Sequence, residues 1–334
     1  MPLPAWAFCC FAIALAGTWL ARRYALRAAL LDHPGERRSH AVATPRGGGI
    51  GIVAAVAALL AASCLNDDGS RMLFAAILGG LLLVAGVGWW DDHRPLGPAP
   101  RLVVHALAAA LLAWGLNAGG AGAVVAGSGF VLALVLVNVW NFMDGIDGLA
   151  GSQALVASAA YASFAGSGPV AWLGVALAAA CAGFLPFNLP RARIFLGDVG
   201  SGALGYLLAT LVALSLPLAG RTAAPLLLLP LLAFGVDAAL TLARRCLRGE
   251  RWWEPHVQHA YQVQARRRGH GAVTAGYFLF TIVASVMMVT ASGSAPVVIM
   301  CTTAAFAALA CAAWWRLQAG EGTAGHQGGE TIHE

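Results

Sequence analysis

The chain contains no lysine, so all twenty basic side chains are arginine. Charge of either sign is scarce, 10% of 334 residues against 59% hydrophobic, and the mean hydropathy is +0.74. That balance excludes a water-soluble globular domain of ordinary composition. The seven cysteines have neither paired metal spacing nor a disulfide pattern; most sit in apolar stretches and read as small buried hydrophobes. There is no glycine-rich phosphate loop preceded by a strand, which argues against P-loop nucleotide hydrolysis. No internal repeat is evident, which counts against the inverted-repeat transporter architectures. The arginine-only basicity has two readings, a need for bidentate phosphate binding or the codon bias of a GC-rich genome, and composition leaves both open. Topology and anionic lipid account for the net charge of +5 without nucleic acid.

What the chain does have is apolar length. Eleven runs approach the roughly 20 residues needed to cross about 30 Å of hydrocarbon: 3–21, 47–65, 72–90, 102–116, 122–141, 149–166, 168–187, 200–218, 223–243, 272–291 and 296–315. They predict an all-α, polytopic membrane bundle of about eleven transmembrane helices. Residues 1–316 form one integral membrane domain, and 317–334, without apolar periodicity, form a disordered cytoplasmic tail. The first run has no basic residues ahead of it and arginines after it, so it reads as a span rather than a signal peptide. With the N-terminus outside and the C-terminus cytoplasmic, eighteen arginines fall on the inner side and only Arg71 and Arg221 on the outer, as positive charge is distributed in membrane proteins.

The inner loops are the long ones: 22–46, 91–101, 141–148, 188–199 and 244–271. Asp91, Asp92, Asp144, Asp147, Asp198 and Asp237 sit in or at the ends of apolar runs, and the span count puts all six on one side. Carboxylates in such places are costly and mark functional sites. Asp91 and Asp92 end the third run as an adjacent pair, which raises affinity for a divalent cation. Asn138, Asn141, Asp144 and Asp147 recur every third residue, one slowly rotating face if helical, with Gly145 and Gly148 allowing close approach of a ligand. Arg191 and Arg193 precede Asp198 at a glycine-rich helix entry, where free amides favour anions or an aspartate can hold a phosphate-bridging Mg²⁺. His256 and His259, three apart in an arginine-rich loop, suit phosphate or metal contacts. A further polar stretch, Asp32 to Arg46, leads into glycines at 47–49. Together these groups suggest divalent metal and phosphate chemistry at one membrane face, with a lipid as one substrate.

The segments at Thr44–Gly49, Trp89–Gly97, Asn138–Gly151 and Phe187–Gly202, followed by the histidine-bearing last inner loop, resemble in order and topology the polyprenyl-phosphate N-acetylhexosamine-1-phosphate transferases. That family includes the phospho-N-acetylmuramoyl-pentapeptide transferases. The resemblance covers about residues 32–270. It implies Asn141 and Asp198 as Mg²⁺ ligands, with Mn²⁺ a substitute, and Asp91 and Asp92 beside the metal and the acceptor phosphate as catalytic groups with Asp198. It implies Asp144 and Asp147 at the nucleotide, Phe195 against uracil, and His256 and His259 at the diphosphate and sugar; Asn138 and Arg193 are further substrate-binding candidates. The missing lysine before Thr44-Pro45 and the sparser histidines look closer to the O-antigen-initiating subgroup than to the pentapeptide transferases.

The implied reaction is transfer of a sugar 1-phosphate from a UDP-N-acetylhexosamine to undecaprenyl phosphate at a bacterial inner membrane, releasing UMP. Direct attack with Asp91 aiding deprotonation is the expected route, and a covalent aspartyl intermediate stays open. The sugar is not legible, and a homodimer is compatible with the chain. The rivals are a carrier or flippase for lipid-linked sugars, and an intramembrane prenyltransferase that would release pyrophosphate.

Overall fold

The computed structural model describes residues 2–32, 42–66, 69–251, 254 and 256–318. The polar stretch at 33–41 and the expected tail from 319 onward lie outside the described residues. The helices are α1 (Leu3–Arg27), α2 (Ile50–Asn66), α3 (Arg71–His93), α4 (Pro98–Ala118), α5 (Ala123–Met143), α6 (Leu149–Ala165), α7 (Gly168–Asn188), α8 (Asp198–Ala223), α9 (Leu232–Leu247), α10 (Ala260–Arg268), α11 (His270–Ala291) and α12 (Pro296–Gln318). A 3-10 segment, Ala224–Leu231, joins α8 to α9. Two-residue strands β1 (Leu31–Asp32) and β2 (Thr44–Pro45) pair antiparallel, with Asp32 opposite Thr44.

Each of the eleven apolar runs falls on helix, but among the described residues eight helical stretches are long and apolar enough to cross a membrane. Two causes separate eight from eleven. Helices α2 and α6 have only 17 residues each. The break expected between the runs 200–218 and 223–243 is bridged, and one helical stretch of 50 residues continues from Asp198 to Leu247. Gly220, at φ 64°, absorbs the kink there, and the proline-containing segment that follows keeps 3-10 hydrogen bonding instead of opening into a loop. Helix α10 follows no apolar run. It starts on a capping box between His259 and Gln262, which satisfies helix amides with side chains.

The axis of the bundle is α8, buried without interruption from Val199 to Ala213, with α3 and α5 packed along it. Glycine lets the backbones close on its first turns. A Cβ on Gly49 would lie 2.2 Å from the Gly200 Cα, one on Gly88 2.4 Å from the Asp198 carbonyl oxygen, and one on Gly205 2.2 Å from that of Leu136. Small residues at crossings are how helices in lipid gain packing contact. Gly49→Ala is therefore expected to destabilise the chain by about 1–3 kcal/mol, seen as a lower thermal unfolding temperature in detergent. Gly86→Ala, with nothing within 4 Å of the added Cβ, should not.

Candidate active site

The site is built on the amino end of α8. Asp92, in the last turn of α3 and 2% exposed, accepts the backbone N–H of Asp198 at 3.1 Å on one oxygen and that of Val199 at 3.2 Å on the other. One helix thus supplies the cap of another, meeting amides that have no partner within their own helix. Gly197, at φ +76°, permits this approach, since a Cβ there would lie 2.6 Å from an Asp92 oxygen. The loop before α8 is held from outside: Phe195 N–H donates to Pro45 O at 2.8 Å, while Gly48 and Gly49 N–H donate to Phe195 and Leu196 carbonyls at 2.9 Å each. The Thr-Pro-Arg-Gly-Gly-Gly segment therefore runs as a rail beside Phe195 and places Arg46 Nε 4.0 Å from Asp92 Oδ1.

With its backbone fixed, Asp198 aims its carboxylate at three helices. Its Oδ2 lies 3.0 Å from Arg101 Nη1, and the same nitrogen lies 2.8 Å from Asp91 Oδ2. Its Oδ1 accepts from Asn141 Nδ2 at 3.0 Å, and that amide also reaches Ser201 Oγ at 3.2 Å. Leu96 N–H donates to the other oxygen of Asp91. The expected polar stripe from Asn138 to Asp147 breaks where α5 ends at Met143, and Asp144–Gly148 forms a turn. Gly148, at φ +72°, donates to Asn188 Oδ1 at 2.7 Å, and Asn188 Nδ2 donates to Ile194 O at 3.0 Å. The buried Asn188 amide thereby ties this turn to the loop before α8.

These parts enclose a cleft of about 310 Å³. Asp92, Asp144 and Asp198 contribute carboxyl groups, Arg46 and Arg266 contribute cations, and Phe195, Ile146 and Val257 contribute apolar surface, together with Asp32, Asn188 and Gln262. Burial, and then the charge of Asp92, push the Asp144 carboxyl up to about 7.

Several sequence candidates lie elsewhere. Asn138 donates to Leu134 O of its own helix at 2.7 Å. Asp147 is engaged by His270 at 3.3 Å and by the Ala192 amide at 3.2 Å, with its own carbonyl taken by Thr274, so it ties the turn to α11. The Arg193 guanidinium stacks over Phe187 at 5.3 Å and bonds Pro186 O. His256 lies against His259, ring centroids 4.8 Å apart, and burial, then the neighbouring His259 and Arg245, hold it neutral down to about 4. His259 is buried, caps α10, and sits 3.6 Å from Asp237. Asp237, within α9, is buried and fully partnered. It accepts from the Ala260 and Tyr261 amides at 2.9 and 3.1 Å, and from the Tyr277 and Thr241 hydroxyls at 2.7 and 3.1 Å. Arg101, Ser201, Asn188, Gln262 and Arg266 were not among the sequence candidates. Arg101 had a signal, as the only formally charged residue of α4.

Among the described residues no three His, Cys, Asp or Glu side chains converge as a metal cage. The Asp91–Arg101–Asp198 bridge still marks a cation position, because one guanidinium nitrogen sits between two carboxylates with an amide and a hydroxyl beside it. One or two carboxylates plus neutral oxygens, with phosphate and water completing the shell, are the ligands Mg²⁺ prefers, so these residues fit that ion. For Asp144 the raised value means that the folded state binds a proton more tightly than the unfolded chain. Its contribution to stability is present below the ordinary aspartate range and is lost as pH rises toward about 7. Asp144→Asn should therefore stabilise the chain relative to wild type at about pH 8 and much less at about pH 4, read by thermal unfolding at both values.

Residues 74–216 match the model described as glycosyl transferase family 4. The decaprenyl-phosphate N-acetylglucosaminephosphotransferase of Mycobacterium tuberculosis is 36% identical over 219 residues, covering 56% of this chain and 54% of that protein. A Bacillus subtilis protein named probable undecaprenyl-phosphate N-acetylglucosaminyl 1-phosphate transferase is 27% identical over 73% of this chain and 72% of its own length. The phospho-N-acetylmuramoyl-pentapeptide-transferase of Symbiobacterium thermophilum is 35% identical over 51% of this chain and 59% of its own length. The chain thus spans about half the length of the mycobacterial relatives it matches. The matched segment carries Asp91, Asp92, Arg101, Asn141 and Asp198, so the similarity to glycosyl transferase family 4 includes the residues gathered at the start of α8.

Proposed function

We propose that this chain transfers an N-acetylhexosamine 1-phosphate from a UDP-linked donor to undecaprenyl phosphate at a bacterial cytoplasmic membrane, releasing UMP. The lipid-linked product would begin an O-antigen or related cell-envelope polysaccharide. The carrying observation is the pair of carboxylates from α3 and α8 sharing one cation at the edge of an arginine-flanked cleft. The names of the relatives point to the same transfer.

In this reading an oxygen of the acceptor phosphate attacks the phosphorus that carries the sugar, and the bond from that phosphorus to UMP breaks as the new phosphoanhydride forms. Bound Mg²⁺, or Mn²⁺ in its place, would neutralise charge on the transferring diphosphate. Asp91, Asp198 and Asn141 would hold it, at the position where the Arg101 guanidinium lies between the two carboxylates. Arg46 and Arg266 face the cleft from opposite elements and bind the diphosphate oxygens, as guanidinium groups do. Phe195, fixed by the rail at Pro45 and Gly48, offers the aromatic face for the base. The acceptor is already an anionic nucleophile near neutral pH, so little base catalysis is required. Asp91, bonded to the Leu96 amide and Arg101, acts chiefly by position.

Asp198→Asn should reduce transfer by at least about a hundredfold, the scale of losing one charge-stabilising group. The assay counts sugar label in the lipid phase at limiting Mg²⁺. Near wild-type turnover would remove Asp198 from the site. A panel of sugar-labelled UDP donors identifies the sugar. UMP as the released product supports this reading, whereas pyrophosphate would point to prenyl transfer.

A further inference from the structure

A second cavity, about 300 Å³, lies on the other side of α10 from the cleft. Gln262 and Arg266, four residues apart, line the cleft; Gln264 and Arg268, also four apart, line the second cavity. Residues four apart share a helix face, and a two-residue offset turns that face by roughly 200°. A nine-residue helix is therefore the common wall of two compartments.

The other walls of this cavity are small or apolar, among them Ala233 of α9, Gly276 and Phe280 of α11, and Ala313 of α12. Its polar groups are few. Asp237 borders it, but both its oxygens are taken by amides and hydroxyls. Gln264 is 5% exposed; its Nε2 donates to Leu317 O at 2.7 Å, and its buried Oε1 has no partner. Arg268 is exposed at the α10 side, following Arg266 and Arg267. An apolar slot between membrane helices, with the exposed Arg268 guanidinium at its α10 side, complements an acyl chain that carries an anionic head group.

We propose that this cavity binds an anionic phospholipid of the surrounding bilayer, its phosphate on Arg268 and one acyl chain between α9, α11 and α12. Gln264 anchors the end of α12, and the opposite face of α10 walls the cleft, so an occupied cavity holds in place the helix that carries Gln262 and Arg266. This site is separate from the proposed transfer, and its test does not depend on any transferase activity.

The full chain is exchanged into phosphatidylcholine nanodiscs with or without phosphatidylglycerol, and retained lipid is counted by native mass spectrometry. Wild type should retain phosphatidylglycerol and unfold at a higher temperature in its presence. Arg268→Gln should retain it about tenfold more weakly, the factor for one lost charge-assisted hydrogen bond. Ala313→Trp, which fills the slot, should lose it. If the tryptophan variant does not fold, Arg268→Gln at an exposed position decides the question. Equal retention by wild type and Arg268→Gln would overturn the proposal, as would preferential retention of polyprenyl phosphate when both lipids are offered.

Discussion

Asp92 sits where three lines of construction meet. Its carboxyl group is out of water, and without partners such burial costs several kcal/mol; the two amides at the start of α8 are its partners. That contact sets the height of α8 against α3, and so fixes where Asp198 begins. Because Asp91 is the neighbour of Asp92 on the same helix, the cap also sets the distance at which Asp91 and Asp198 face each other across Arg101. Asp92 thus does most of its work through backbone amides, and its neighbour Asp91 meets Asp198 through Arg101.

The same device recurs in the last third of the chain. Asp237 lies within α9, yet its oxygens receive the first two amides of α10. Tyr277 from α11 completes the shell, as does Thr241, whose hydroxyl also accepts the Trp314 indole N–H from α12. Two buried aspartates therefore cap two helix starts at the same end of the bundle. The first positions the Asp198 wall of the cleft and the second its wall of Gln262 and Arg266. The polar parts of the cleft stand on helix ends in both cases, which leaves the apolar length of α8 to pack inside the bundle.

Much of this was legible in the sequence because helices in lipid must be long and apolar. Each run fell on a helix, and the aspartates at the ends of those runs came to one end of the molecule. Harder to read was which end-group does what. Asp147 and Asp144 look equivalent in the stripe, but α5 stops at Met143, and the turn that follows sends Asp147 to His270 and Ala192 while Asp144 stays in the cleft. His259 looks like a ligand and serves as a cap, because its partner Asp237 lies 22 positions earlier on another helix. Periodicity carries no record of contacts that distant. The same limit hid Arg101, whose partners come from α3 and α8.

The absence of lysine can be weighed position by position. At Arg101 a single nitrogen contacts both carboxylates, a job a compact ammonium could also do. At Arg245 it could not. That side chain is 5% exposed and sends Nε to Glu250, Nη1 to Glu254 O and Nη2 to Arg251 O, three directions from one planar group, folding the loop after α9 around itself. Arg23, over the Trp19 ring at 4.3 Å, uses the same flat face on an aromatic. Codon bias can fill a surface with arginine, but it does not place a buried fork where each arm meets an acceptor. The loop that leads from α9 to the cap of α10 is therefore a place where arginine is required by geometry, and through that loop the requirement reaches the cleft.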